Sequence, residues 1–205
     1  MDKTNKKIGI LGGTFDPVHH GHLILADDVR QKFSLDKVVF IPSGMPPHKA
    51  VSSVTEAEHR FNMVRIAVST NTGFEVSRIE IDRSGYTYTI DTLTQLKREY
   101  GDDTELLFII GADVVNDLLT WKNYEMVFGM CGFIAVLRPG FDNESFVKRI
   151  NWLEETYKAK IYTTDTPLIE ISSTIIREKL QRGQSIKYLV PESVEAYVTE
   201  NGLYT

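Results

Sequence analysis

The sequence predicts an α/β fold: a doubly wound, mostly parallel sheet with helices on both faces and a small helical portion at its end. Three observations carry this expectation. Short apolar runs recur along the 205 residues. Segments of helical periodicity separate them. The first run stops at a glycine pair, and a helical pattern begins soon after it.

The apolar runs are KKIGILGG, DKVVFIPSG, GFEVSRIEID, ELLFIIGAD, CGFIAVLRPG and AKIYTTD. Their Ile, Val, Leu and Phe, bounded by Gly, Pro or Asp, fit strands buried on both faces. Between them, Leu23, Ala26, Val29 and Phe33 repeat at helical spacing, as do Phe61, Val64, Ala67 and Val68 after TEAEHR. Ile90, Leu93, Leu96 and Lys97 do so after SGYTYT. Alternation of strand and helix implies parallel pairing with crossover helices. EISSTIIREKL starts a late helix, and PESVEAYVTENG reads as a closing one, with Pro191 at its start and Gly202 just past its end. PSGMPPHKAVSSVT reads as a long loop, since Pro42, Pro46 and Pro47 oppose regular structure. Loops of that length in compact domains are often functional.

Composition narrows the function classes. A chain of 205 residues suits one domain and buries about 70% of the surface exposed when unfolded. The net charge is −5, and no run of Lys and Arg stands out. A nucleic-acid partner, which needs a basic face, is therefore not expected. Cys131 is the only cysteine, so no intrachain disulfide forms, and it reads as a small buried apolar residue. The opening MDKTNKKIGI is too polar, and its apolar run too short, for a secretory signal. No apolar stretch reaches 18 residues, so no membrane span is expected. The expected location is cytoplasmic. A homo-oligomer is compatible with the sequence, which does not specify it.

The chemistry concentrates at GGTFDPVHHGH. All five histidines lie in the first 60 residues, three of them at His19, His20 and His22. In a doubly wound sheet, ligands bind beyond the carboxyl ends of the strands, where strand order reverses. Gly12 and Gly13 let backbone approach a ligand there. The pattern is neither GxGxxG nor GxxxxGK[ST]. Three readings of the histidines stay open: a metal site lacking evident further ligands, capping or packing imidazoles, and phosphate recognition at a helix start. Ser172, Ser173 and Thr174 precede a helix carrying Arg177 one turn on. They read either as a plain N-cap or as a second anion site.

These residues resemble a known family. GGTFDPVHHGH looks like the signature of the HxGH nucleotidylyltransferases, and ISSTIIR matches that superfamily's second phosphate-binding motif. IPSGMPPHK, GYTYTIDTL, FIIGADVVNDLLTW, VLRPG and YVTENGLY are similar, in order and spacing, to the bacterial nicotinate mononucleotide adenylyltransferases. The resemblance covers nearly the whole chain. It implies a Rossmann-like nucleotidylyltransferase domain over residues 1–205, with a helical part from about 172 to 205. The implied reaction joins ATP and nicotinate mononucleotide into nicotinate adenine dinucleotide and pyrophosphate, a step of NAD biosynthesis. The mononucleotide phosphate attacks the α-phosphorus in line, with no protein nucleophile. Mg²⁺ is the implied cofactor, held mainly by ATP phosphates and not by direct protein ligands.

The resemblance also implies roles. Gly12, Gly13, Thr14, Phe15, His19, His22, Ser172, Ser173, Thr174 and Arg177 would bind ATP. His19, His22, Lys49 and Arg177 would be catalytic, with His22 best placed at the α-phosphate. His20 fills the variable position and is expected to point elsewhere. His48, Lys49, Thr89, Asp113, Trp121, Lys122 and Arg138 would bind the mononucleotide. Among these, Trp121 would stack on the pyridine ring. Thr89 and the Trp121–Lys122 backbone would take its carboxylate. Backbone N–H donors suit the acid better than the amide, which brings donors of its own. Arg138 would meet the mononucleotide phosphate, and Asp113 a ribose hydroxyl or another substrate-side group; Asp113 also reads as a helix cap, and the two roles are compatible. Lys122 departs from the family, where an aromatic residue usually follows the tryptophan. Other readings are an HxGH transferase for a different phosphate (of pantetheine, choline, glycerol or a flavin), one preferring nicotinamide mononucleotide, and a non-catalytic nucleotide-binding regulator.

Overall fold

A computed structural model describes residues 6–45, 54–137, 143–167 and 169–205. The first half runs β1 (Lys7–Gly13), α1 (His20–Lys32), β2 (Lys37–Pro42), α2 (Ala57–Val68), β3 (Phe74–Val76) and α3 (Thr89–Tyr100). The second half runs β4 (Glu105–Gly111), a 3₁₀ helix (Ala112–Thr120), α4 (Tyr124–Met130), β5 (Gly132–Leu137), α5 (Asn143–Tyr157), β6 (Ile161–Asp165), α6 (Ser173–Gln181) and α7 (Glu192–Glu200). The strands form one sheet in the order β3-β2-β1-β4-β5-β6, and every pairing is parallel.

Strand alternation sorts the core into two layers. Ile8 and Ile10 of β1, Val39 and Ile41 of β2, and Phe133 and Ala135 of β5 face a core shared with Leu93 and Leu96 of α3, Val115 and Phe128. Their alternates Leu11, Val38, Phe40, Ile134 and Val136 face the other core, with Ala26 of α1, Met63 and Val64 of α2, Ile176 of α6, and Val194 and Val198 of α7. A period of two residues is what a strand covered on both faces requires. The late helices therefore share the sheet's core.

From β1 the chain winds outward through β2 to β3, then crosses back by α3 to β4 on the other side of β1. Right-handed crossovers place helices on opposite faces when the winding direction reverses. β1 and β4 thus straddle the reversal. Their pairing ends at Ile10 and Phe108, whereas β1 pairs with β2 as far as Gly13 and Pro42. Beyond that point β1 and β4 are no longer paired, at the position where doubly wound sheets bind ligands.

Three expectations need correction. The run GFEVSRIEID yields only a three-residue strand, and its residues are half-buried. β6 is likewise exposed along most of its length, with Tyr162 largely in solvent. Both are edge strands, so neither is buried on both faces. Pro42 does not open the loop but closes β2 opposite Gly13, a strand-end position where its missing N–H costs little. The rest of the expected loop, residues 46–53, lies outside the described residues. Cys131 is buried as expected.

Candidate active site

The turn after β1 is set by packing around Phe15. Its backbone takes a left-handed φ of 50°, which a bulky residue adopts only under compensation. The compensation is burial of the ring, 5.8 Å from the Phe40 ring and edge-on to His22 at 5.0 Å. A Cβ on Gly13 would stand 3.0 Å from this ring, so glycine there makes room for Phe15. The buried Phe15 ring supports His22, and its side chain is not available to a ligand.

His19 is the N-cap of α1, and His22 lies in the helix's first turn. Their rings stack at 3.7 Å with 25° between planes. The His19 amide donates to His22 Nδ1 at 3.3 Å, which leaves the proton of the neutral His22 ring on Nε2. Burial, and then the neighbouring His19, push the His22 pKa down to about 3. Burial, and then His20, push that of His19 down to about 4. Both rings are therefore neutral donors at pH 7. Gly21 is explained by the same pair, because a Cβ there would lie 3.0 Å from His19 Nδ1. His20 is bound by its backbone, which donates to the Leu189 carbonyl at 3.0 Å. Among the described residues no group of three or more His, Cys, Asp or Glu could hold a metal ion. The metal reading of the histidines thus gains no third ligand there.

The second motif folds onto this turn from far along the chain. Ser172 caps α6, its Oγ accepting from the Ile175 amide at 3.2 Å. Ser173 donates to the Pro17 carbonyl at 2.8 Å. Arg177 donates to the Asp16 carbonyl at 2.7 Å and to Thr174 Oγ1 at 3.4 Å. The plain capping reading therefore holds for Ser172 alone. The starts of α1 and α6 converge, and each offers free N–H groups and a positive dipole end.

A third group gathers beside β4. Trp121 ends the 3₁₀ helix and sets its half-buried ring near Phe108 at 5.8 Å and Phe133 at 6.2 Å. Phe108 is also the side chain nearest an added Cβ on Gly12, so it separates the histidine turn from Trp121. Lys122 Nζ lies 4.1 Å over the Tyr88 ring, next to Thr89, the first residue of α3. Thr89, Trp121 and Lys122 are thereby brought together. The Trp121 amide is already given to the Leu118 carbonyl at 3.2 Å. Of the two amides expected to hold a carboxylate, that of Lys122 is the one left to do so. Asp113 is exposed in the first turn of the 3₁₀ helix, whose N-cap is Gly111. Its Oδ1 occupies the space that a Cβ on Gly111 would need. Asp113 is thus not the N-cap residue. His48, Lys49 and Arg138 lie outside the described residues.

Sequence reasoning missed the support beneath the turn. Arg60, 2% exposed, donates to the Thr14 carbonyl at 2.9 Å and the Thr55 carbonyl at 2.8 Å. Asp16 accepts from the Tyr204 hydroxyl at 2.6 Å and the Thr55 amide at 3.3 Å. An apolar periodicity through Phe61 and Val64 gives no hint that the arginine beside them turns inward. The only trace was that Asp16 and Tyr204 fall inside motifs read for other reasons.

The strand-order reversal, two converging helix starts and a neutral imidazole pair define an α/β protein with a candidate anion site at the carboxyl end of its sheet. A family model described as Cytidylyltransferase-like matches residues 10–179. A "Probable nicotinate-nucleotide adenylyltransferase" of Thermoanaerobacter sp. (strain X514) is 50% identical over 97% of this chain and 94% of that one. One from Moorella thermoacetica is 46% identical over 97% and 91%. The Plasmodium falciparum nicotinic acid mononucleotide adenylyltransferase complexed with NaAD superposes with a TM-score of 0.78 at 24% identity, over 98% of each chain. That last likeness speaks for the fold. The chain belongs to the cytidylyltransferase-like family and, within it, to the nicotinate-nucleotide adenylyltransferases.

Proposed function

We propose that this chain joins ATP and nicotinate mononucleotide, giving nicotinate adenine dinucleotide and pyrophosphate, in NAD biosynthesis. The observation that carries it is the docking of the α6 start onto the turn holding the neutral His19–His22 pair. The names of relatives that share up to 50% identity supply the substrates.

In this reading a phosphate oxygen of the mononucleotide forms the new bond to the α-phosphorus of ATP. The bond from that phosphorus to the α,β-bridging oxygen breaks, and the electron pair leaves with pyrophosphate. No covalent protein intermediate is needed, so catalysis rests on positioning and on charge stabilisation. His22 Nε2–H faces the charge that builds at the α-phosphate, and His19 binds beside it. Neutral imidazoles suit this role because their donors need no proton from solvent. Gly12, Gly13 and the Thr14 backbone line the turn. The α6 start, with Ser172, Ser173, Thr174 and Arg177, receives the β- and γ-phosphates. Thr89, Asp113, Trp121 and Lys122 take the nicotinate half, together with His48, Lys49 and Arg138, with Lys49 also meeting phosphate. A divalent cation such as Mg²⁺, held mainly by the ATP phosphates, would supply charge neutralisation for the leaving pyrophosphate.

We read residues 1–205 as one nucleotidylyltransferase domain acting on small molecules in the cytoplasm, without nucleic acid. No helix among the described residues is long and apolar enough to cross a membrane. The test is pyrophosphate release from MgATP, with nicotinate mononucleotide and nicotinamide mononucleotide compared side by side. A large kcat/KM preference for the acid is expected. Equal use of both would remove the carboxylate site from Thr89 and Lys122, and no release with either would overturn the reading.

A further inference from the structure

The Thr14–Pro17 turn has an unusual hydrogen-bond pattern. The Thr14 carbonyl is taken by Arg60, the Asp16 carbonyl by Arg177 and the Pro17 carbonyl by Ser173. A loop that receives phosphate must turn its carbonyl oxygens away, or their negative ends repel the ligand. Here three carbonyls in four residues are each turned onto a side-chain donor and so neutralised, two of them by guanidinium groups. Asp16 is buried near the Arg60 guanidinium, its Oδ1 held by the Tyr204 hydroxyl at 2.6 Å. Tyr204 reaches it across 188 positions of sequence, from a left-handed backbone φ of 67°. The same Tyr204 hydroxyl is pushed well above its ordinary pKa by burial and by its bond to Asp16. It is therefore a fixed donor throughout the working pH range.

We propose that Tyr204, Asp16 and Arg60 are positioning residues for adenylyl transfer: together they lock the Thr14–Pro17 turn with its carbonyls paired, and so set the placement of His19 and His22. The closing segment of the chain thus belongs to the active-site support. None of the three touches the reacting atoms. The inference rests on the reading that this turn faces ATP.

The test is Tyr204→Phe, which removes one hydroxyl and keeps the ring. Its kcat/KM for ATP should fall by between about tenfold and a hundredfold, while KM for the mononucleotide is unchanged. Arg60→Met should show the same split, and Arg60→Lys should recover part of it. Val198→Ala is the structural control, a buried truncation on α7 that removes no polar contact to the turn. It should lower Tm and leave both kinetic constants at the parent value. Independently of turnover, the imidazole NMR signals of His19 and His22 should shift in Tyr204→Phe and not in Val198→Ala. Parent kinetics and unshifted imidazole signals in Tyr204→Phe would overturn the proposal. So would an equal loss for both substrates that Val198→Ala reproduces. If the parent protein itself released no pyrophosphate, the functional reading would fail, and the imidazole signals would still decide whether Tyr204 holds the turn.

Discussion

His22 shows how much one side chain owes to its neighbours. Its Nδ1 is occupied by the His19 amide, its face by the His19 ring and its edge by Phe15. What remains is the single Nε2–H. Replacing it with alanine leaves the core of Phe15 and Phe40 in place, so the fold should persist. The loss of one such transition-state donor costs about 3–4 kcal/mol, or about a hundred- to thousandfold in kcat. Steady-state turnover of His22→Ala, with circular dichroism as the fold control, checks this, and near-normal kcat would remove His22 from the chemistry. Gly21 was legible only as part of a motif. The 3.0 Å approach of its missing Cβ to His19 supplies the physical reason.

Among the elements, the 3₁₀ helix is the least expected. It spans nine residues, Ala112–Thr120, where such helices seldom exceed a turn or so. Its apolar residues Ala112, Val115 and Leu118 repeat every third position and are buried, which suits three residues per turn. That spacing also fits the start of an α-helix, so the sequence alone did not separate the two. The tighter helix ends at Trp121 and delivers it beside Phe108. Trp121→Ala should raise KM for the mononucleotide severalfold or more and spare KM for ATP. Equal effects on both substrates would make Trp121 structural, as its contacts with Phe108 and Phe133 also allow. α6 was legible in outline, since Ser-Ser-Thr before an apolar repeat marks a helix start. Which hydroxyl capped and which reached another element depended on what lay opposite.

For the whole molecule, the buried imidazoles couple stability to pH. In the unfolded chain His19 and His22 titrate near 6.5; folding lowers this to about 4 and about 3. The unfolded state therefore binds more protons below 6.5. Their contribution is complete above that value and is lost as pH falls toward the folded values. Each imidazole contributes a slope of up to about 1.4 kcal/mol per pH unit within that window. Tm should fall on acidification from pH 6.5 to 4, and more shallowly in His22→Gln. A parallel decline in both proteins would mean that other groups carry the acid response.

The sequence by itself determined the local patterns. Short apolar runs became strands, three- and four-residue spacings became helices, and glycine before histidine marked the turn at the carboxyl end of the first strand. These are decided by each segment's own stereochemistry and by which of its faces must leave water. It also carried the family likeness, whose motifs are contiguous. Only the tertiary structure decided that α6 would dock on the Thr14–Pro17 turn and that Arg60 would point inward. It alone brought Tyr204 to Asp16, and depressed the pKa values of two histidines. Each of those depends on burial and on partners up to 188 positions away. Desolvation and hydrogen-bond pairing are properties of the assembled core, and no local stretch of the chain contains them.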